Sequence, residues 1–292
     1  MMDCGPTART LAIGLAITDA LRRRGWTAMA LAEALGWSNS KVSRIVTGAR
    51  RAHPDDVIAI LAVLGVVGRD RDELVEFARG LGRTNWWQEH GTRPHGQSSV
   101  LRRIELAATQ ITTYSGDMVY PPLQTLGYLR LFVANHTPEG HDEFVADRYE
   151  AQQQLLDASL NLVSFIDARA LTHGGIPRET MSDQLHHLLR LTVRPDITIR
   201  VIPETAAPRR SGSFTLMTFA KHPPLVYLEH LNTSAYLEHP DTVGGYRSHV
   251  AYLRNLAMDA ETTRTWLLGL ADRLGPAMEA DDQNRCLEGR PA

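Results

Sequence analysis

Apolar residues recur every three to four positions along the first 81 residues, and the pattern predicts a run of five helices. Leu15, Ile17 and Leu21 share one side of a helix over 11–24. Leu31, Ala32 and Leu35 line a second, with Thr27 placed to cap its start and Gly36 to end it. A third follows at once. Ser38 is its cap, Val42 and Ile45 turn inward, and Gly48 stops it. Pro54 opens a fourth, with Val57, Ile60, Leu61 and Leu64 on its stripe. The fifth, about 71–81, carries Leu74, Phe77 and Ala78. The segment TAMALAEALGWSNSKVSRIVTG (27–48) is thus two short helices about a tight turn. Asn39, Ser40, Lys41, Ser43 and Arg44 are left on the outer face of the second, which is a helix-turn-helix pattern.

The periodicity lapses over 83–98, a Gly-, His- and polar-rich stretch that reads as a linker. Its Trp86–Trp87 pair is expected to anchor against a domain. Helical spacing returns over 99–113, 123–135, 142–162 and 182–192. Then the period changes. Residues 197–202, 214–219 and 225–229 are short, β-branched or aromatic runs bounded by Pro and Gly, and predict three neighbouring strands of one small sheet. Helices resume over 242–258 and 261–274. The expected fold is mostly α with a small β-sheet, an α+β chain. It comprises a helix-turn-helix domain at 1–82, a linker at 83–98, a larger α+β sensing and dimerisation domain at 99–276 and a flexible tail at 277–292.

Charge sharpens this picture. Residues 1–52 carry a net +5 in a chain of 292 residues totalling −2, so the basic character sits where the helix-turn-helix sits. Arg50 and Arg51, just beyond the third helix, are placed for phosphates. Duplex DNA is therefore the expected partner, contacted by Thr27, Asn39, Ser40, Lys41, Ser43, Arg44, Arg50 and Arg51. One such domain covers few base pairs, which predicts a homodimer on a two-fold operator. The two cysteines, Cys4 and Cys286, provide neither a disulfide framework nor a cysteine zinc site. No apolar run reaches the roughly 18 residues of a membrane span, and no signal-peptide pattern opens the chain, so a cytoplasmic protein without membrane attachment is expected.

The second half is rich in titratable side chains. On the strand 225–229, Leu225, Tyr227 and Glu229 share one face. A tyrosine and a carboxylate so placed suit either a ligand's hydroxyls or acid–base chemistry. Tyr114, Gln124, Tyr227 and Glu229 are the candidate ligand or acid/base residues. His186 and His187 point different ways on a helix, and His230 and His239 have no third ligand at a recognisable spacing, so no metal is expected. No nucleophile elbow, phosphate-cradling loop, dinucleotide fingerprint or metalloprotease helix is present, and no cofactor is expected.

Residues 10–66, through GWSNSKVSRIVTG, resemble the Xre-type (Cro/repressor-like) helix-turn-helix. Residues 99–272 are similar to the uncharacterised C-terminal domain of actinobacterial members of that group. The carrying residues are Glu105, Tyr114, PPLQT (121–125), Tyr128, Arg148, Gln152, FIDARAL (165–171), His173, Gly174, Met181, Gln184, Ile202, Pro203, Gly212, Phe214 and VYLEH (226–230). The resemblance implies a transcription regulator whose second domain binds a small molecule, of natural-product type, or a small protein partner. It also brings an alternative, since similar chains serve secondary metabolism as cofactor-free enzymes of cyclisation, dehydration or aldol-type steps. The sequence departs from the family at Ala28 and Asn39, where glutamine is usual, at Val46, where glutamate is usual, and at Ala151, where arginine is usual. The Tyr120-Pro121-Pro122 run replaces a Pro-Gly-Leu run. The scaffold of the helix-turn-helix is kept and its reading surface is altered.

Overall fold

The computed structural model describes residues 7–79, 85–89, 99–134, 141–158, 160–172, 175–206, 212–230 and 233–275. In chain order the helices are α1 Ala8–Arg24, α2 Ala28–Leu35, α3 Asn39–Val46, α4 Pro54–Leu64, α5 Gly68–Arg79, α6 Ser99–Ala107, α7 Leu126–Ala134, α8 His141–Asp157, α9 Ala168–Thr172, α10 Arg178–Leu191, α11 Pro240–Leu256 and α12 Ala260–Leu274. The strands are β1 Asn85–Glu89, β2 Gln110–Ser115, β3 Asn161–Asp167, β4 Ile197–Ile202, β5 Phe214–Thr218, β6 Leu225–His230 and β7 Thr233–Leu237. The mixture is mostly helical with a minor β component, the α+β class that the changing periodicity predicts. No helix among the described residues is long and apolar enough to cross a membrane.

The chain forms two compact units, Met1–Ile111 with Thr215–Ser248, and Thr112–Phe214 with His249–Ala292. The expected 83–98 linker falls inside the span of the first unit, and the expected 99–276 domain is divided between the two.

The first unit holds the five N-terminal helices. Thr7 closes a capping box with Thr10 at the start of α1, and Thr27 and Ser38 accept the amides of Ala30 and Lys41 to cap α2 and α3. Gly36 ends α2 at φ +65°, a left-handed conformation that L side chains strain to adopt, and so sets the sharp turn into α3. Ile13, Ile17, Leu31, Val42, Ile45, Val57, Ile60 and Leu61 are at most 2 % exposed and make one core beneath the turn. Gly14 lets α1 lie directly on the end of α3. A Cβ there would stand 2.5 Å from the Val46 carbonyl oxygen.

The same unit contains an antiparallel ladder in the order β1-β7-β6-β5, with Trp86 opposite Tyr236, Tyr227 opposite Tyr236, and Thr215 opposite Tyr227 across its three pairings. This ladder is fastened to the helices. The Glu238 carboxylate accepts the Ala8 amide at 2.7 Å, a negative charge at the positive end of α1. The Arg9 guanidinium donates to the Phe77 carbonyl oxygen and lies over the Phe77 ring, whose edge meets Tyr236. Arg103, on α6, pairs with Asp19 and Asp70.

In the second unit β3 and β4 run parallel, from Leu162 opposite Ile197 to Asp167 opposite Ile202. Leu129, Val133, Phe144 and Val145 form a core cluster between α7 and α8. Three buried glutamines brace the 121–125 turn. Gln184 donates to the Leu123 carbonyl oxygen and accepts the Thr125 amide, Gln124 donates to Val119, and Gln152 donates to Pro121.

Several expected elements need correction. The helix predicted over 99–113 stops at Ala107, and Gln110–Ser115 is a strand. The helix predicted over 142–162 stops at Asp157, and Asn161–Asp167 is a strand. Each strand follows its helix after a short turn, and a buried run such as Leu162 to Ile166 is apolar on both faces, which period alone does not separate from helix. Of the three strands predicted as neighbours, 214–218 and 225–230 pair, but 197–202 pairs in parallel with β3. Asn85–Glu89, inside the expected linker, is a strand; the side chains of Trp86 and Trp87 lie outside the described residues. Cys4, His173, Gly174, Cys286 and the expected 277–292 tail also lie outside them.

Candidate nucleic-acid interface

The surface of α3 follows from two buried positions. Val42 and Ile45 are 0 % and 1 % exposed and fix the helix against α1 and α2. The remaining arc then faces outward, and Asn39, Ser40, Ser43 and Arg44 are all exposed. The Arg44 Nε donates to the Ser40 carbonyl oxygen at 3.2 Å, which draws the side chain back along the helix toward its N-terminal end. Thr27, Arg50 and Arg51 are exposed too. The Arg50 amide donates to the Arg44 carbonyl oxygen, so the turn after α3 is hydrogen-bonded to the helix. The Thr10 hydroxyl donates to the Gly48 carbonyl oxygen at 2.7 Å and ties that turn to α1.

Lys41 is placed differently from its neighbours. Its Nζ lies 2.7 Å from Asp56 Oδ1 on α4 and 3.6 Å from the centre of the Trp37 ring, and it is only partly exposed. The residue sits on the edge of the polar arc, and its long stem reaches back across the turn. Trp37 and Asp56 therefore hold the lysine that the sequence pattern assigned to DNA.

The four candidate ligand residues are shared between the two units. Tyr114 and Gln124 belong to the second unit, Tyr227 and Glu229 to the first. Tyr227 is buried, its hydroxyl bonds Ser234 at 3.0 Å, and its ring meets Tyr236 edge-on. Strand β6 has partners on both sides, so Tyr227 and Glu229 stand on an interior strand rather than at a sheet edge, and Glu229 is half-buried. Gln124 is 3 % exposed and serves the 121–125 turn.

Tyr114 belongs to a charged group at the end of β3. The Asp167 side chain is fully buried, and Arg169 grips it at 2.9 and 2.7 Å while standing half-exposed. The Tyr114 hydroxyl lies 3.5 Å from the same carboxylate. Burial, then the Asp167 charge, push the Tyr114 hydroxyl up to about 12. Burial raises Asp167, but the hydrogen bonds and charge of Arg169 outweigh it and hold the carboxyl below its ordinary range.

Replacing Asp167 with Ala removes the buried acceptor, and a urea midpoint shift equivalent to about 1–3 kcal/mol is expected. The sign of the pH dependence follows from the lowered folded-state value. This contribution is complete above the unfolded carboxyl value near 3.9 and is lost as pH falls through the lower folded one. A variant as stable as the natural chain would contradict a structural role for the Asp167–Arg169 pair.

His186 and His187 have separate roles as well. The His186 Nδ1 bonds the Ser182 carbonyl oxygen within α10. Burial, then the neighbouring Arg190, push the His187 imidazole down to about 4.

A helix-turn-helix domain model matches residues 19–74, which span the last turns of α1 through α4 and much of α5. A second family model, described as a domain of unknown function (DUF5753), matches residues 99–269. No curated protein matches the chain. Among solved structures, the archaeal chromatin protein TrmBL2, whose report describes a novel mode of DNA binding, is similar over 80 % of this chain and 87 % of its own. Its identity is 11 % and its TM-score 0.30, too low for the likeness to bear on fold or function. The 99–269 match covers more than half of the chain, and with the caps, core and turn of α1–α4 it settles the assignment: the protein belongs to the DUF5753 family and carries an N-terminal helix-turn-helix domain.

Proposed function

We propose that the protein is a transcription regulator of the Xre type that binds duplex DNA through α3. The observation that carries this reading is the exposed arc of Asn39, Ser40, Ser43 and Arg44 on a helix whose other side is locked by Val42 and Ile45. In the major groove, Asn39 suits a bidentate contact with adenine and Arg44 a contact with guanine. Thr27, Arg50 and Arg51 hold phosphates, which position the helix without reading sequence. Lys41 contributes field rather than contact while Asp56 holds it. The functional form is a homodimer on a two-fold operator, in the cytoplasm of an actinobacterium. The second region senses a small molecule or a protein partner, and the half-exposed Arg169, which holds Asp167 beside the buried Tyr114 hydroxyl, is the polar group there that a ligand can reach.

Binding isotherms on operator and scrambled duplexes across a salt series test the phosphate assignment. Arg50→Ala weakens binding to both sequences alike and makes the slope of log affinity against log salt shallower by about 0.9. A loss confined to one sequence contradicts the assignment.

A further inference from the structure

Two groups capture the ammonium of Lys41. Its Nζ lies 2.7 Å from Asp56 Oδ1 and 3.6 Å from the centre of the Trp37 ring. Trp37 belongs to the turn before α3, where its amide donates to the Ala32 carbonyl oxygen, and Asp56 stands in the first turn of α4. The Lys41 and Asp56 side chains are 27 % and 23 % exposed, so both still meet solvent. The other carboxylate of that turn, Asp55, lies 3.2 Å from the His53 ring instead. Along α3, Lys41 is flanked by Asn39, Ser40, Ser43 and Arg44, all exposed. The ammonium is thus held at the rim of the arc, by a carboxylate that is itself open to water.

A lysine stem is flexible enough to carry its charge outward as well as back. Two costs keep this one back. Transfer to a phosphate breaks the 2.7 Å pair and the contact with the Trp37 ring. It also leaves the Asp56 carboxylate uncompensated beside a polyanion, where like charges repel. We propose that Asp56 is a positioning residue that sets the affinity of the helix-turn-helix for DNA: it withholds Lys41 from the phosphate backbone, and removing its charge adds one phosphate contact. This rests on the regulator reading above and goes beyond it, since a residue that touches no DNA then governs a cation of the recognition helix. A lysine on a phosphate carries no base information, so the strength of binding changes and the preferred sequence does not.

The test uses the full chain, the duplex that it selects from random DNA and a scrambled duplex. Asp56→Asn, which keeps the shape of the side chain, is expected to steepen the slope of log affinity against log salt by about 0.9 on both duplexes. On lowering salt from about 200 to about 50 mM, its affinity then rises about 3.5-fold more than that of the natural chain. In the double variant Lys41→Gln/Asp56→Asn the slope equals that of Lys41→Gln alone, because the gain belongs to the lysine. Asp56→Ala repeats the measurement without an amide that could accept from Nζ. Acetylation by an amine-reactive reagent, read by mass spectrometry, follows the natural chain itself: Lys41 is expected to react at the same rate with and without DNA. An unaltered or shallower slope in both Asp56 variants overturns the proposal. So does a steepening that survives Lys41→Gln, or protection of Lys41 by DNA in the natural chain. Failure of the natural chain to bind any duplex overturns the regulator reading and this one with it, an outcome distinct from binding with an unaltered slope.

Discussion

Replacing Arg44 with alanine is expected to lower affinity for the preferred operator by about 1–3 kcal/mol, a loss of roughly 5- to 150-fold, and to relax sequence preference at one base pair. The two effects should appear together, because a guanidinium that reads a base edge supplies both. The substitution deletes no buried surface, since Arg44 is exposed and its recorded hydrogen bond runs to a carbonyl oxygen of its own helix. Surface changes of this kind alter stability by about 0.5 kcal/mol or less, so a loss of binding at an unchanged melting temperature isolates recognition from folding. Competitive gel shifts on a panel of single-base operator variants measure both effects. Full affinity with unaltered preference would remove Arg44 from the reading surface.

A comparable loss is expected from a change that touches no DNA. Gly14→Ala inserts a methyl group 2.5 Å from the Val46 carbonyl oxygen, 3.0 Å from the Gly48 amide nitrogen and 3.1 Å from the Ile45 carbonyl oxygen. All three are backbone atoms at the end of α3, so no side chain can rotate aside. Alanine gains about 1 kcal/mol over glycine in a helix interior. Overpacking a tight backbone contact costs about 1–3 kcal/mol or more, and with one contact at 2.5 Å and two at 3.0 and 3.1 Å the upper end applies. The net expectation is a destabilisation of about 2 kcal/mol. A displaced α3 follows, with weaker binding to operator and scrambled DNA alike. Thermal melts beside the same gel shifts check it, and a melting temperature at or above that of the natural chain would contradict the packing of α1 on α3.

The helix-turn-helix was legible because its signals are local. Thr27, Ser38 and Gly36 do their capping within a few residues of where they stand, and Val42 and Ile45 repeat at helical spacing. The strands were less so. β2 and β3 follow helices after short turns and are buried, so their alternation is masked. β1 and β7 are short and mostly polar, Asn-Trp-Trp-Gln-Glu and Thr-Ser-Ala-Tyr-Leu, and are ordered by pairing, β7 lying between β1 and β6.

The candidate site divides the same way. Exposure of Asn39, Ser40, Ser43 and Arg44 follows from the period of one helix. The diversion of Lys41 to Asp56 and Trp37 depends on how α4 returns beneath α3, which no helical wheel contains. The bonds from Thr10 to Gly48 and from Ala8 to Glu238 join residues far apart in sequence. Alternation places Tyr227 and Glu229 on one face but does not say how open that face is: Tyr227 is buried against Tyr236, whereas Glu229 is half-buried.

The central claim is that the exposed arc of α3 enters the major groove of a duplex. Methylation interference tests it most directly. Duplexes lightly methylated at guanine N7, in the major groove, and at adenine N3, in the minor groove, are mixed with the full chain at about 50 mM salt, and bound and free fractions are cleaved and compared. The account predicts two clusters of interfering guanines about one helical turn apart, both lost with Arg44→Ala. Interference confined to adenine N3, or no bound fraction at this salt, would contradict it.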